Sequence, residues 1–370
     1  MIEDFYKTTK YDVSTNRSRR DLINVNFNDG CSVSINGDEN KEYSLVFFEN
    51  DEILYKTKIK SNHWSKILKQ YFGNYKVDVY HEDKLIKSES LNLFNKTVSI
   101  IVDSHSLGDS LAWIPQIDKF QKLHNCIVYV KCNWKELFEK SYPNLNFCDV
   151  YGTCYASYHI GYFKEWMNRS PNDPRLTPLA KVASDILGMS YEEIKPKLLT
   201  DDVFTNKKYV CIATQSTSQC KYWNNKNGWK EVIKYLNKLG YEVWCIDKYK
   251  NFGKSPNFNE MPEGAIDKTG DFPLSERMKQ IKGAEFFIGL GSGLSWLAWA
   301  LNTHVVLISD VTPTNHEFTK NITRISSNDI TKVNYNIEEL KVSDTNLVLN
   351  EINNLIKSSR ISQSSSTNIS

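Results

Sequence analysis

One stretch constrains the fold more than any other: Val98-Ser-Ile-Ile-Val-Asp103-Ser-His-Ser-Leu-Gly108-Asp109-Ser-Leu-Ala-Trp113. Its opening residues are apolar and β-branched, as a parallel strand covered on both faces requires. A turn with Gly and Asp follows. Trp113, Ile114, Ile117, Phe120 and Leu123 then recur at helical spacing, which predicts a helix over Leu111 to His124. Pro115 fits there only if the helix starts late or kinks. Cys126-Ile-Val-Tyr-Val130 is a second apolar strand. Strand, helix and strand with short connections make a βαβ unit and hence a parallel sheet. Ligands of open α/β sheets bind at the carboxyl ends of the strands. Asp109 is therefore expected at the floor of a cleft, at the start of a helix. Two roles suit it there: a base that takes a proton from an attacking hydroxyl, or a helix cap that complements the positive helix end.

The pattern restarts near residue 201. Tyr209-Val-Cys-Ile-Ala213 is a strand, and Thr214 to Asn227 a polar loop. Trp229, Val232, Ile233, Leu236 and Leu239 line a helix closed by Gly240, before the strand Tyr241 to Ile246. Glu285-Phe-Phe-Ile288 leads into Gly289-Leu-Gly291-Ser-Gly293, then a helix over Leu294 to Leu301 and the strand His304 to Ile308. Thr177 and Pro178 read as N-cap and first residue of a helix that Gly188 stops. Residues 21–95 alternate as β-strands do, with Asn36-Gly37 as a hairpin signal. Only His63 to Phe72 there has helical spacing. The expected fold class is α/β, with two Rossmann-like domains and an N-terminal β-rich domain. The boundaries read from these shifts are 1–95, 96–200 and 201–357. Residues 338–357 are predicted as a final helix and the Ser-rich 358–370 as a disordered tail. Residues 1–20 read as a loose basic arm.

Totals exclude several classes. A net charge of +2 implies no general polyanion affinity, though it leaves a local nucleic-acid groove open. The eight cysteines make no Cys-x-x-Cys pair, so neither a zinc site nor a disulfide framework is suggested. The first residues carry no signal-peptide pattern, and the longest apolar run, Phe286 to Leu301, is short for a bilayer span. The expected compartment is the cytoplasm, with no membrane span.

Three groups of residues face one cleft if the two halves oppose each other. Gly108-Asp109 is the first. The loop Thr214-Gln-Ser-Thr217-Ser-Gln-Cys-Lys221 is the second, where hydroxyls and a lysine suit a diphosphate. The third is Gly289 to Gly293, running straight into a helix whose N-terminus favours anions. Close helix–strand packing and a solvated Ser/Thr loop explain the latter two equally well in isolation. Arg277, His105, Lys226 and His316 are ambiguous singly, and the aromatic cluster from Tyr151 to Trp166 suits either a core or a sugar platform.

Asp103 to Pro115, Cys220-Lys-Tyr-Trp-Asn224 and Phe286-Phe-Ile-Gly-Leu-Gly-Ser-Gly-Leu-Ser-Trp-Leu-Ala-Trp-Ala300 resemble the bacterial autotransporter heptosyltransferases, across most of residues 20–340. The resemblance implies a GT-B fold of two Rossmann-like domains with an added N-terminal β-rich domain. It implies inverting transfer of heptose from ADP-heptose to Ser or Thr hydroxyls of a protein. By the same resemblance Asp109 is the catalytic base. The resemblance places Lys221, Arg277, Ser292 and Gly293 on the donor, and Thr217, Gly291 and Leu294, on the same two loops, are expected to bind the donor with them. The expected partners are a nucleotide-sugar and a protein acceptor, with a homo-oligomer as a further possibility. The family carries an iron site built from cysteines in its C-terminal part. This chain has no cysteine after Cys245, so neither a metal nor any other cofactor is expected. A glycan or modified nucleobase as acceptor, another donor, a non-catalytic sugar-nucleotide-binding protein and an assembly module remain the alternatives.

Overall fold

The computed structural model describes residues 22–37, 41–149, 152–201, 203, 205–253 and 259–366. The basic arm and residues 367–370 lie outside the described residues. The chain forms two compact units, one holding residues 22–26, Cys31–Ile67 and Asn74–Leu91, the other Phe27–Gly30, Leu68–Gly73 and the chain from Asn92 onward.

The first unit is built from β1 (Leu22–Asn28), β2 (Ser32–Asn36), β3 (Glu42–Glu49), β4 (Glu52–Lys60), β5 (His63–Lys66), β6 (Tyr75–His81) and β7 (Lys84–Ser90). β2 pairs antiparallel with residues 22–26 of β1 and with β5. A second antiparallel sheet has the order β4-β3-β6-β7. Along β3, Tyr43, Leu45 and Phe47 alternate into the core, the period of a sheet with one covered face. Two expectations are corrected here. Asn36-Gly37 does not close a hairpin, because β2 and β3 lie in different sheets; the Asn62 side chain instead bonds both backbone groups of Gly37. The tight turns are Asn50-Asp51 and Glu82-Asp83, all four at positive φ. His63 to Phe72 is not a helix: its start is β5, held in register by Ser32↔Lys66 to Ile35↔His63. Trp64 and Leu68 in this segment are 69% and 77% exposed, so ladder pairing and not burial of these side chains decides the segment.

The second unit holds two parallel sheets. The first contains β8 (Thr97–Val102), α1 (Leu107–His124), β9 (Ile127–Lys131), α2 (Lys135–Phe138), β10 (Leu145–Phe147), β11 (Ala156–Ile160) and α3 (Leu179–Ile186), with parallel strands ordered β10-β9-β8-β11. The second contains β12 (Tyr209–Ile212), α4 (Gly228–Lys238), β13 (Glu242–Cys245), β14 (Asn251–Phe252), β15 (Asn259–Glu260), β16 (Ile266–Asp267), α5 (Leu274–Lys282), β17 (Phe287–Leu290), α6 (Gly293–Ala300), β18 (Val305–Ile308), β19 (Ile322–Ile325) and α7 (Thr345–Ser366). Its six-stranded order is β16-β13-β12-β17-β18-β19, parallel throughout, with β14 and β15 paired apart. β12, β17 and β18 are buried at every position, which is why they read as continuous apolar runs.

α1 starts at Leu107, a turn before the prediction, and keeps Pro115 in its interior. That proline leaves the Leu111 carbonyl without its helical partner, a loss the surrounding burial of Leu111, Trp113, Ile114 and Ile117 offsets. Pro178, not Thr177, is the residue flanking α3, whose first amide (Leu179) donates to the His316 carbonyl at 2.8 Å. α7 places Val348, Ile352 and Ile356 in the core beside Trp229, Val232 and Leu236 of α4. It continues to Ser366, so 358–366 is helical and not a disordered tail; once nucleated on a packed face, a helix propagates at little cost.

Candidate active site

Each sheet reverses its strand order once. β8 lies between β9 and β11, and β12 lies between β13 and β17. Crevices at such switch points are where α/β sheets hold ligands. The loop from β8 to α1 and the loops after β12 and β17 leave these two points. They meet around one cavity of about 310 Å³. The first half contributes His105 to Asp109, Trp134, Tyr162 and Leu179. The second contributes Gln215 to Thr217, Lys221, Asp247 to Tyr249, Phe252, Gly291 to Leu294, Trp296, His316 and Glu317.

The loop into α1 is braced at several atoms. The Ser106 amide donates to Ser104 Oγ at 3.1 Å, Asn133 Nδ2 to the Ser104 carbonyl at 3.0 Å, and Trp134 Nε1 to the His105 carbonyl at 3.1 Å. Ser106 is the N-cap residue, so Asp109 stands inside the first turn and not at the cap. Its side chain is 8% exposed. Ser104 Oγ donates to Asp109 Oδ2 at 2.5 Å, and the Tyr162 hydroxyl stands 3.4 Å from Oδ1. Burial pushes the Asp109 carboxyl above the usual aspartate value; the Ser104 hydrogen bond, the Lys221 charge and the Tyr162 hydroxyl pull it part of the way back.

Across the cavity, Lys221 lies in a short 3₁₀ turn, Gln219–Lys221, and donates to the Gly291 carbonyl at 2.9 Å. α6 starts at Gly293 with Ser292 extended before it, so first-turn amides, which lack intrahelical partners, open toward the same space. Two glycines permit this approach. A Cβ on Gly291 would stand 2.7 Å from Glu317 Oε1, and one on Gly293 would stand 2.9 Å from the Leu107 Cβ. The N-terminal turns of α1 and α6 therefore pack backbone to backbone, with both positive ends at the cavity.

Two buried carboxylates shape the second wall. Asp247 accepts from the Thr214 amide and hydroxyl, both at 2.9 Å, and from the Gln215 amide at 3.2 Å, which pins the loop after β12. Burial raises its carboxyl despite these donors. Glu317 pairs with Arg324 and accepts from Thr312 Oγ1 at 3.0 Å. Burial raises its carboxyl too, but Arg324, His316 and Lys221 outweigh burial and hold it below the usual glutamate value. His316 is buried beside it with Nδ1 unpartnered, and burial lowers its basicity, so the ring is neutral near pH 7.

Thr217, Lys221, Gly291, Ser292, Gly293, Leu294 and Asp109 thus line one cavity. Arg277 does not. It is 4% exposed on α5, and its guanidinium donates to the carbonyls of Lys268, Gly270 and Asp247 at 2.7, 2.6 and 3.2 Å and to Gln280 Oε1 at 2.8 Å. Those acceptors hold the chain after β13 and β16, so here the arginine makes scaffold contacts and does not line the cavity. Sequence reasoning missed Ser104, Tyr162, Asp247 and Glu317 as individual site residues. Asp247 was findable, since it directly follows a strand's carboxyl end. Glu317 reaches the cavity from the far side of β18, and no local pattern marks it.

Residues 177–347 match the family described as glycosyltransferase family 9 (heptosyltransferase). The chain is 39% identical over 311 residues to the autotransporter heptosyltransferase BAHTCr of Citrobacter rodentium, covering 80% of this chain and 75% of that protein. It superposes with a TM-score of 0.84 on a crystal structure of the dodecameric iron-containing heptosyltransferase TibC in complex with ADP-D-beta-D-heptose, at 32% identity over 95% of this chain and 100% of that one. TibC comes from enterotoxigenic E. coli H10407. The inactive autotransporter heptosyltransferase BimC of Burkholderia thailandensis is 30% identical over 80% of this chain and 72% of its own length. The residues here do not fit the iron of TibC. Among the described residues no group of three or more His, Cys, Asp or Glu side chains could hold a metal ion. Cys211 and Cys245, two of the last three cysteines of the sequence, are buried singly with their thiols pushed far from thiolate formation.

Proposed function

The chain belongs to the autotransporter heptosyltransferases, GT-B glycosyltransferases of family 9, and from that premise we propose that it transfers heptose from ADP-heptose to a protein Ser or Thr hydroxyl with inversion. The observation that carries the proposal is the opposition of Asp109 to Lys221 and the two helix N-termini around one cavity.

The donor diphosphate lies against Lys221 and the first turn of α6, with Thr217, Ser292 and Leu294 beside it. The sugar points toward Asp109. The acceptor hydroxyl enters between donor and Asp109 and gives its proton to that carboxylate. Its oxygen forms a bond to the anomeric carbon as the bond from that carbon to the phosphate oxygen breaks, and the electron pair leaves with ADP. Lys221 and the helix ends balance the charge that gathers there. Attack from the face opposite the diphosphate inverts the anomeric centre. A nearly dry carboxylate is a better base than an exposed one, because its raised proton affinity brings it toward working pH. Assembly into a homo-oligomer, as TibC does, is part of the proposal.

The test pairs binding with turnover. ADP at about a hundred times its Kd stabilises a protein by about 2.7 kcal/mol, so a thermal-shift series with ADP, UDP, GDP and CDP identifies the donor base. Incubation with ADP-heptose and an acceptor passenger domain, read by intact mass, reports transfer, and NMR of the glycopeptide reports the anomeric configuration. Selective stabilisation by UDP or GDP discards the heptose donor; retention of configuration discards the single displacement. The kinship with an inactive relative favours one second reading, a sugar-nucleotide-binding protein without turnover. ADP binding with no transfer to any passenger domain selects it.

A further inference from the structure

We propose that Ser104 is a positioning residue that divides the two oxygens of Asp109 between tasks, fixing Oδ2 and leaving Oδ1 as the oxygen that receives the acceptor's proton. The inference rests on the reading of Asp109 as the base.

A serine hydroxyl has one proton to give. Ser104 Oγ accepts the Ser106 amide at 3.1 Å, so its proton is free to point away from that amide, and Asp109 Oδ2 stands there at 2.5 Å. The Ser104 backbone is itself held, because Asn133 Nδ2 at the end of β9 bonds its carbonyl at 3.0 Å. The bond to Oδ2 is at the short, charge-assisted end of the O–H···O range. Oδ1 is treated differently. Its hydroxyl neighbour, Tyr162, is 3.4 Å away, beyond the normal O–H···O range, and the Tyr162 ring is 46% exposed at the cavity with its face tilted against Trp113. Oδ2 is thus committed to a short bond, whereas the Tyr162 contact at Oδ1 is long and is the one an incoming hydroxyl can displace.

The step balances at named atoms. The acceptor O–H proton passes to Oδ1, the acceptor oxygen bonds the anomeric carbon, and the diphosphate leaves with the electron pair of the broken C–O bond. Oδ2 keeps its bond from Ser104 throughout, so the carboxyl plane does not turn as Oδ1 is protonated.

Other groups face this carboxyl: Lys221 from the turn after β12, Tyr162 from the segment after β11, Tyr335 from the segment after β19, and the Ser106 hydroxyl from its own loop. Of these Lys221 is the cation, and its charge acts on the carboxyl as a whole. The hydroxyl bond from Ser104 is what distinguishes its two oxygens. Loss of that bond has a definite sign. A donor to the ionised form favours that form, so its removal raises proton affinity at Asp109 and moves the acidic limb of the rate profile to higher pH.

The experiment measures kcat and KM for ADP-heptose between pH 5 and 9 in wild type, Ser104→Ala, Ser104→Thr and Asp109→Asn, with melting temperatures alongside. A hydrogen bond to a charged group is worth about ten-fold to a hundred-fold in an equilibrium or rate. Ser104→Ala is expected to lower kcat by about ten-fold or more, to leave KM within two-fold, and to move the acidic limb upward. Ser104→Thr, which keeps the hydroxyl, restores both. A merely structural serine would lower the melting temperature with the limb unmoved. An unmoved limb in Ser104→Ala, or no rescue by threonine, overturns the assignment. If Asp109→Asn transfers at the wild-type rate, the base reading itself fails; if it is dead while Ser104→Ala has the wild-type limb, only the role of Ser104 fails.

Discussion

Asp109 and Glu317, on opposite walls of the cavity, handle charge in opposite ways. The first wall, on the loop into α1, gives the ionised form of Asp109 one short hydroxyl bond from Ser104, weaker hydroxyl contributions from Tyr162 and Ser106, and the Lys221 charge, which together do not outweigh burial. The second wall places Glu317 against Arg324 and Thr312, and Asp247 against backbone amides, so its acids are fully committed. Asp109 and Glu317 are about equally buried, yet burial wins at one and a cation wins at the other. Burial alone therefore does not identify the reactive acid. The partner set separates them, and it is consistent with the proposed proton transfer at Asp109 and with a scaffolding role for Glu317.

The sharpest way to break this contrast is to remove the carboxylate of the first wall. Asp109→Asn is expected to cost about a hundred-fold to ten-thousand-fold in transfer rate while ADP-induced stabilisation persists, measured by intact-mass kinetics and thermal shift. The same variant should melt no lower than wild type near neutral pH. A carboxyl with raised affinity contributes its stability below its unfolded value of 3.8 and loses it as pH rises through the folded value, so removing it helps above that range. A lower melting temperature at pH 7 would show that Asp109 is a structural cap instead.

Removing the carboxylate of the second wall should do the reverse. Glu317→Gln strands the buried Arg324 and is expected to destabilise by about 3–5 kcal/mol, read by chemical denaturation. Its pH signature also inverts. Glu317 is held below 4.5, so its contribution is present above that value and is lost as pH falls through the folded value. Acid unfolding of wild type should therefore flatten below pH 4.5 in the variant.

A smaller effect sharpens the distinction between binding and scaffold cations. Arg277→Ala leaves several buried carbonyls without a donor and should cost about 2–3 kcal/mol of stability, whereas Lys221→Ala, which loses one bond to Gly291, should melt near wild type and lose its response to ADP. Equal loss of ADP response in stability-matched Arg277→Ala would return that arginine to the donor site. Gly291→Ala is expected to cost about 1–3 kcal/mol in chemical denaturation, because its new Cβ meets the Glu317 carboxylate at 2.7 Å.

Much of this was legible in the sequence because it rests on local periodicity. The strands β8, β12, β17 and β18 are unbroken apolar runs, the helices α4 and α7 show one apolar face, and the α/β class follows from their alternation. Asp109 and Lys221 stood out because they lie in the stretches that follow strands whose carboxyl ends open to a cleft. Local pattern failed where pairing or partners decide. The segment from His63 has helical spacing but is drawn into a ladder by β2, and Asn36-Gly37 has hairpin chemistry but joins strands of different sheets. Arg277 is ambiguous on its helix and is a donor ligand only by the resemblance; folding brings three loop carbonyls around it. The sequence by itself determined the alternation of strands and helices, the positions of the turns that carry the site, and the absence of any cysteine beyond Cys245. The tertiary structure alone decided which acid is short of partners, because that depends on Ser104, Tyr162, Lys221 and Arg324, groups whose distances to Asp109 and Glu317 no spacing along the chain encodes.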